Sequence, residues 1–162
     1  MPFVLIRIPN LTLTFLLLVV LGTLAAQQQV PAPGTGAVLI EERSTDTPVP
    51  TPDPTVSYRL VKGGFISRTT DGGATWNGQL VSPDAQLKAG SAPSTEVCWV
   101  VGHHGAIYVT TNGGTSWKKV TAPVNKDLTQ VLAKDGSTAT ITRYDGKKYS
   151  TTDGGKKWQP AP

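Results

Sequence analysis

The groups in this chain best able to do chemistry recur at a fixed interval. "TTDGGATW" (69–76), "TTNGGTSW" (110–117) and "TTDGGKKW" (151–158) repeat one octet at a step of 41 residues. Each copy has a threonine (Thr69, Thr110, Thr151), a polar centre (Asp71, Asn112, Asp153), a glycine (Gly73, Gly114, Gly155) and a tryptophan (Trp76, Trp117, Trp158). A carboxylate held in such a turn could serve as a base or nucleophile. The middle copy argues otherwise. Asn112 can accept the same hydrogen bonds, but an amide cannot be a carboxylate base. What all three copies share is turn chemistry: an acceptor for nearby backbone N–H groups, a glycine for positive φ, and an indole to cover the hairpin. Burying that ring contributes at least ~2 kcal/mol. If Trp117 is buried, its loss costs roughly 3–5 kcal/mol. The octets therefore read as scaffold, with no catalytic residue among them.

The other reactive side chains are few. His103 and His104 are adjacent at a turn, point apart, and have no nearby Cys or His to complete a metal set. They read as solvated turn residues. The single cysteine, Cys98, has Ser57 and Ala139 one repeat away, so the position calls for a small packed side chain. Lys118, Lys119, Lys147, Lys148, Lys156 and Lys157 flank the second and third octets and form a candidate rim for an acidic partner. Lysines along a solvated sheet edge also guard against aggregation. No metal, cofactor or nucleic-acid motif is present in the sequence, and none is expected to bind.

Positioning these residues requires a repeated unit of short strands. The 41-residue step also aligns Gly64, Gly105 and Gly146, and Leu87 with Leu128. Within the second copy, 96–102, 106–111, 116–122 and 128–133 are β-rich runs separated by turn residues. Four short antiparallel strands per repeat is the size of a β-propeller blade. The octet resembles the Asp-box, or bacterial-neuraminidase repeat. With the "WVVG" strand and "GxIxxTT(D/N)GGxxW", residues 58–162 resemble the photosystem II assembly and stability factor-like propeller module. The resemblance implies that each octet is a folded turn between the third and fourth strands of a blade. It also implies a binding role in envelope assembly or regulation, rather than an enzyme. Similar modules form the exported ends of membrane-anchored regulators such as anti-sigma factors, which is the alternative reading. A truncated sialidase-like glycosidase is the remote one. Arg7 in "IRIPN" matches the Arg-Ile-Pro motif of sialidases, but it also supplies the positive charge expected before an export segment.

The remaining chain organises around that module. Residues 1–26 hold one arginine, a 16-residue apolar run and the small-residue boundary "LAAQQQ". That order matches a signal peptide, or a membrane anchor over 8–26. The protein is accordingly expected in the periplasm or another extracytoplasmic space, touching membrane only through this segment. Residues 27–57 form a Pro/Thr-rich linker, in which alternating prolines favour an extended spacer of about 3.1 Å per residue. Residues 58–162 carry ten lysines and three arginines against seven acids. The expected fold is all-β, an N-terminal export helix and linker followed by a partial propeller-like array of about three blades. Because "DTPVPT" (46–51) is proline-rich, the first blade is expected to have at most three strands of its own, unless "AVLIEE" (37–42) supplies the fourth. So short an array is an open arc, a compact three-sheet unit or a ring completed by other subunits. An open arc exposes apolar blade faces, which predicts weak self-association or a partner protein in the cell envelope.

Overall fold

The computed structural model describes residues 46–162, and the expectations for residues 1–45 lie outside them. The described chain is all-β. Sheet 1 contains β1 (Thr47–Pro50), β2 (Ser57–Val61), β3 (Phe65–Thr69) and β4 (Asn77–Leu80). Sheet 2 contains β5 (Leu87–Ser91), β6 (Cys98–Gly102), β7 (Ile107–Thr110) and β8 (Lys118–Lys119). Sheet 3 contains β9 (Leu128–Ala133), β10 (Ala139–Arg143), β11 (Lys148–Thr151) and β12 (Gln159–Ala161). Each is an antiparallel meander in chain order, the form of a propeller blade. The innermost strands β1, β5 and β9 lie side by side, β5 against both neighbours.

The first sheet corrects the sequence expectation. It has four strands, and the fourth comes from residues 47–50, inside the stretch read as linker. Proline lacks the N–H that a central ladder needs, but β1 is an edge strand and pairs only with β2. Pro48 and Pro50 alternate with Val49, which is buried against sheet 2. Gly90 on β5 accommodates it: a Cβ there would lie 2.7 Å from Val49 Cγ2.

Period-2 alternation explains how three sheets share two cores. All five residues of β6 are buried, because sheet 2 is covered on both faces. Cys98 and Val100 join Tyr58, Leu60 and Ile66 of sheet 1 in one core. Trp99 and Val101 join Val131, Ala139 and Ile141 of sheet 3 in the other. Cys98 is the small packed residue that its repeat position implied, and burial pushes its thiol pKa up. The outward faces have different chemistry. Where sheet 2 presents Trp99, Val101, Ile107 and Val109 to its neighbour, sheet 3 carries Thr140, Thr142, Lys148 and Ser150 one repeat later. Where sheet 2 turns Cys98, Val100 and Tyr108 toward sheet 1, the outer side of sheet 1 has Ser57, Arg59 and Ser67. End repeats with polar outer faces are how stacked arrays stay soluble. The broadly apolar blade faces expected of an open arc are absent at these positions, although Leu132, paired across from Thr140 on sheet 3, and Phe65 with its cross-strand partner Leu80 are exposed.

Candidate functional site: the repeated turns and the sheet junctions

The three octets fold as one turn. Each lies between the third and fourth strands of its sheet, where the resemblance put it. In the first, the buried Thr69 hydroxyl donates to Asp71 Oδ1 (2.7 Å) and accepts from the backbone N–H of Gly73 (2.9 Å). Asp71 Oδ1 also accepts from Thr75 N–H (2.9 Å), while its Oδ2 accepts from the Thr75 hydroxyl (2.5 Å). The second copy repeats this with Thr110, Asn112 and Gly114; there Asn112 Oδ1 accepts from Ser116 N–H (3.0 Å) and its amide donates to Ser116 Oγ (2.9 Å). In the third, Thr151 and Asp153 behave likewise toward Gly155, and Lys157 N–H donates to Asp153 Oδ1 (2.9 Å). Every polar centre is engaged inside its own turn, which is what a structural role requires.

This engagement predicts an acid-sensitive fold. Hydrogen bonds from the Thr75 hydroxyl, then Thr75 N–H, then the Thr69 hydroxyl, hold Asp71 at about 2, below its ordinary 3.8. Asp153 is lowered too, first by Lys157 N–H. A depressed folded-state pKa gives stability that is complete above the unfolded value and is lost as pH falls through the folded one. The melting temperature should therefore fall between about pH 4 and pH 2. Asp71→Asn should flatten the fall. Asn112→Asp should be nearly silent at pH 7 and steepen it. Circular dichroism melts across pH 2–7 measure all three.

The tryptophans do more than cover their hairpins. Trp76 Nε1–H donates within its own turn to Gly73 O (3.1 Å), with the Arg59 guanidinium 4.2 Å above its ring centroid. Trp117 donates instead to Gln79 Oε1 on sheet 1 (3.2 Å), and Trp158 to Thr121 O just after sheet 2 (2.9 Å). Trp117 is half-buried, not buried, so Trp117→Ala should cost about 2–3 kcal/mol in urea unfolding, below the range for an enclosed indole. A second aromatic series, missed in the sequence, reaches the other way. Tyr58 OH donates to Thr95 O (2.7 Å), burial raising its pKa to about 12, and Trp99 Nε1–H donates to Asp135 O (2.9 Å). Tyr58 and Trp99 are one repeat apart. That spacing was the available signal.

The six lysines do not form a single rim. Lys118 and Lys119 lie on the outer strand of sheet 2; Lys147 and Lys148 sit at the opposite end of β11 from Lys156 and Lys157. Lys118, Lys119, Lys148 and Lys157 each line a different hollow. Among the described residues, all four ion pairs use arginine or histidine, so none of these lysines is paired. His103 also departs from expectation. It is partly buried, its Nδ1 lies 2.9 Å from Asp127 Oδ2, and His104 N–H donates to Asp127 Oδ1 (3.0 Å). The pair ties the β6–β7 turn to the loop before β9. Among the described residues, no group of three or more His, Cys, Asp or Glu side chains is arranged to hold a metal.

Known proteins place this geometry in a family. No curated protein matches the chain. Among solved structures, one described as YCF48 bound to D1 peptide has a TM-score of 0.62 at 24% identity, covering 73% of this chain and 41% of that one. YCF48 from Cyanidioschyzon merolae gives 0.60 at 22% identity, covering 71% and 42%. An ancestral GH74 enzyme gives 0.52 at 18%, covering 71% and 18%. These likenesses establish the fold, and the chain spans 41% and 42% of the two YCF48 structures. The family model described as photosynthesis system II assembly factor YCF48 matches residues 40–161, a span that takes in all three octets and all twelve strands. The chain belongs to the YCF48 family of photosynthesis system II assembly factors.

Proposed function

We propose that this protein is a non-catalytic scaffold that binds a polypeptide during assembly or regulation at the cell envelope, exported or anchored by residues 1–26. The observation that carries the reading is the family match through all three repeats, in a family with a solved member that holds a D1 peptide. The site chemistry supports it. The octet carboxylates are spent on their own turns, and Asn112 replaces one of them. The likeness to a GH74 enzyme is one of fold. Self-association is a weaker part of the reading, because the outer sheet faces carry Thr140, Thr142, Ser57 and Arg59, with Leu132 and Phe65 as isolated exposed apolar residues among them.

Capture tests the proposal. Tagged full-length chain, cross-linked in membranes of its source cell, should retain a discrete polypeptide partner, and the purified protein should leave fluorogenic glycosides intact. Turnover of a glycoside, or recovery no different from a basic control protein, would reject it.

A further inference from the structure

The repeat supplies its own comparison for each sheet junction. In all three sheets the loop between the first and second strands docks on the octet of the same sheet through one bond. Gly72 N–H donates to Thr55 O, Gly113 N–H to Glu96 O, and Gly154 N–H to Ser137 O, each at 2.9 Å. Thr55, Glu96 and Ser137 are thus structural equivalents. Between sheets 1 and 2, Glu96 lays its carboxylate over Gly113 and faces Arg68 of sheet 1, Oε1 lying 3.8 Å from the guanidinium. Between sheets 2 and 3 the equivalent residue is Ser137, which has no carboxylate.

A cation remains at that second junction. Lys118 pairs across from Val109 on the sheet 2 hairpin, as Asn77 pairs across from Arg68 on sheet 1, so the charge has moved one strand outward. Lys118 lines a hollow of about 240 Å³ with Val109, Thr111, Ser116, Gly136 and Gly154. Ser116 Oγ accepts from the Asn112 amide, which leaves its own O–H free to donate. The second junction therefore has an ammonium and hydroxyls where the first has a guanidinium already facing a carboxylate.

We propose that this hollow is a carboxylate site, and that it takes an acidic group of the bound polypeptide in the position Glu96 occupies one repeat earlier. The inference rests on the scaffold reading and locates part of its binding surface. Lys118 supplies the charge, Ser116 a hydrogen bond, and Gly154 the open space, a Cβ built there meeting only Gly136 O, at 3.8 Å. The other five lysines of the candidate rim take no part.

The test uses isotopically labelled full-length protein and three heptapeptides: one with blocked ends and a central glutamate, its glutamine twin, and that twin with a free C-terminal carboxylate. The glutamate peptide should shift the amide resonances of Thr111, Gly136 and Gly154, and the blocked glutamine twin should not. Shifts of the same amides by the free-acid peptide alone would keep the site and assign it to a chain terminus. Lys118→Ala should weaken binding about tenfold or more, as expected for a charge-assisted hydrogen bond. Lys119→Ala should leave it unchanged. Ser137→Glu, which installs in cis the carboxylate found at position 96, should abolish it while the fold and melting temperature persist. No response to either carboxylate peptide, or a response indifferent to Lys118→Ala and Ser137→Glu, overturns the site. If membrane capture succeeds equally with Ser137→Glu, the site fails and the scaffold stands; if capture fails while the peptide shifts remain, the reverse holds.

Discussion

Trp99→Ala is expected to cost about 3–5 kcal/mol, the range for removing an enclosed aromatic ring. Trp99 is fully buried on β6, one of the two inner strands of sheet 2, and packs with Val101, Ile107, Val131 and Ile141 in the core shared by sheets 2 and 3. Its indole N–H also satisfies Asp135 O at the edge of that core. Alanine would leave a cavity between two sheets, and a carbonyl without its donor. Marginal domains hold only about 5–15 kcal/mol in total, so the loss is a large share of the whole. Urea titration followed by fluorescence and circular dichroism should show the midpoint fall. If the two probes separate, sheet 3 has come loose before the rest.

Gly155→Ala should cost roughly 2–4 kcal/mol, combining left-handed backbone strain with overpacking. Gly155 has a φ of 80°, and a Cβ there would collide with the Val120 side chain, itself 3% exposed in the second core. Gly72→Ala isolates the first contribution. Its φ is 69° but no atom lies within 4 Å of the added methyl, so about 1 kcal/mol is expected. Equal losses at the two positions in chemical denaturation would mean that the third turn is not packed against sheet 2.

Much of this fold was legible because the repeat is written in the turns. An Asp or Asn, two glycines and a tryptophan at a constant step leave few alternatives for local structure, and Cys98 was placed by its small equivalents. What escaped were features set by neighbours distant in sequence. Strand β1 was missed because Pro48 and Pro50 argue against a strand, and only its place at a sheet edge removes the objection. The reach of Trp117 to Gln79 and of Trp158 to Thr121 spans 38 and 37 residues, so no inspection of the octet alone reveals it. The lysines looked like one cluster because sequence proximity hides that β11 separates two of the pairs. The contrast of Glu96 with Ser137 acquires meaning only once both loops are seen to make the same backbone bond.

On the scaffold reading Asp71 and Asp153 act only within their own turns, even though Ser116 and Gly154 of the octets line the proposed carboxylate hollow. The decisive measurement is the affinity for the captured partner of Asp71→Asn and Asp153→Asn, read beside their melting temperatures at pH 7 and pH 3. The folded fraction of each variant should bind within about twofold of the parent, a difference under 1 kcal/mol, while its melting temperature departs from the parent's at pH 3. Affinity that falls in step with these substitutions while the melting temperatures stay together would contradict that reading.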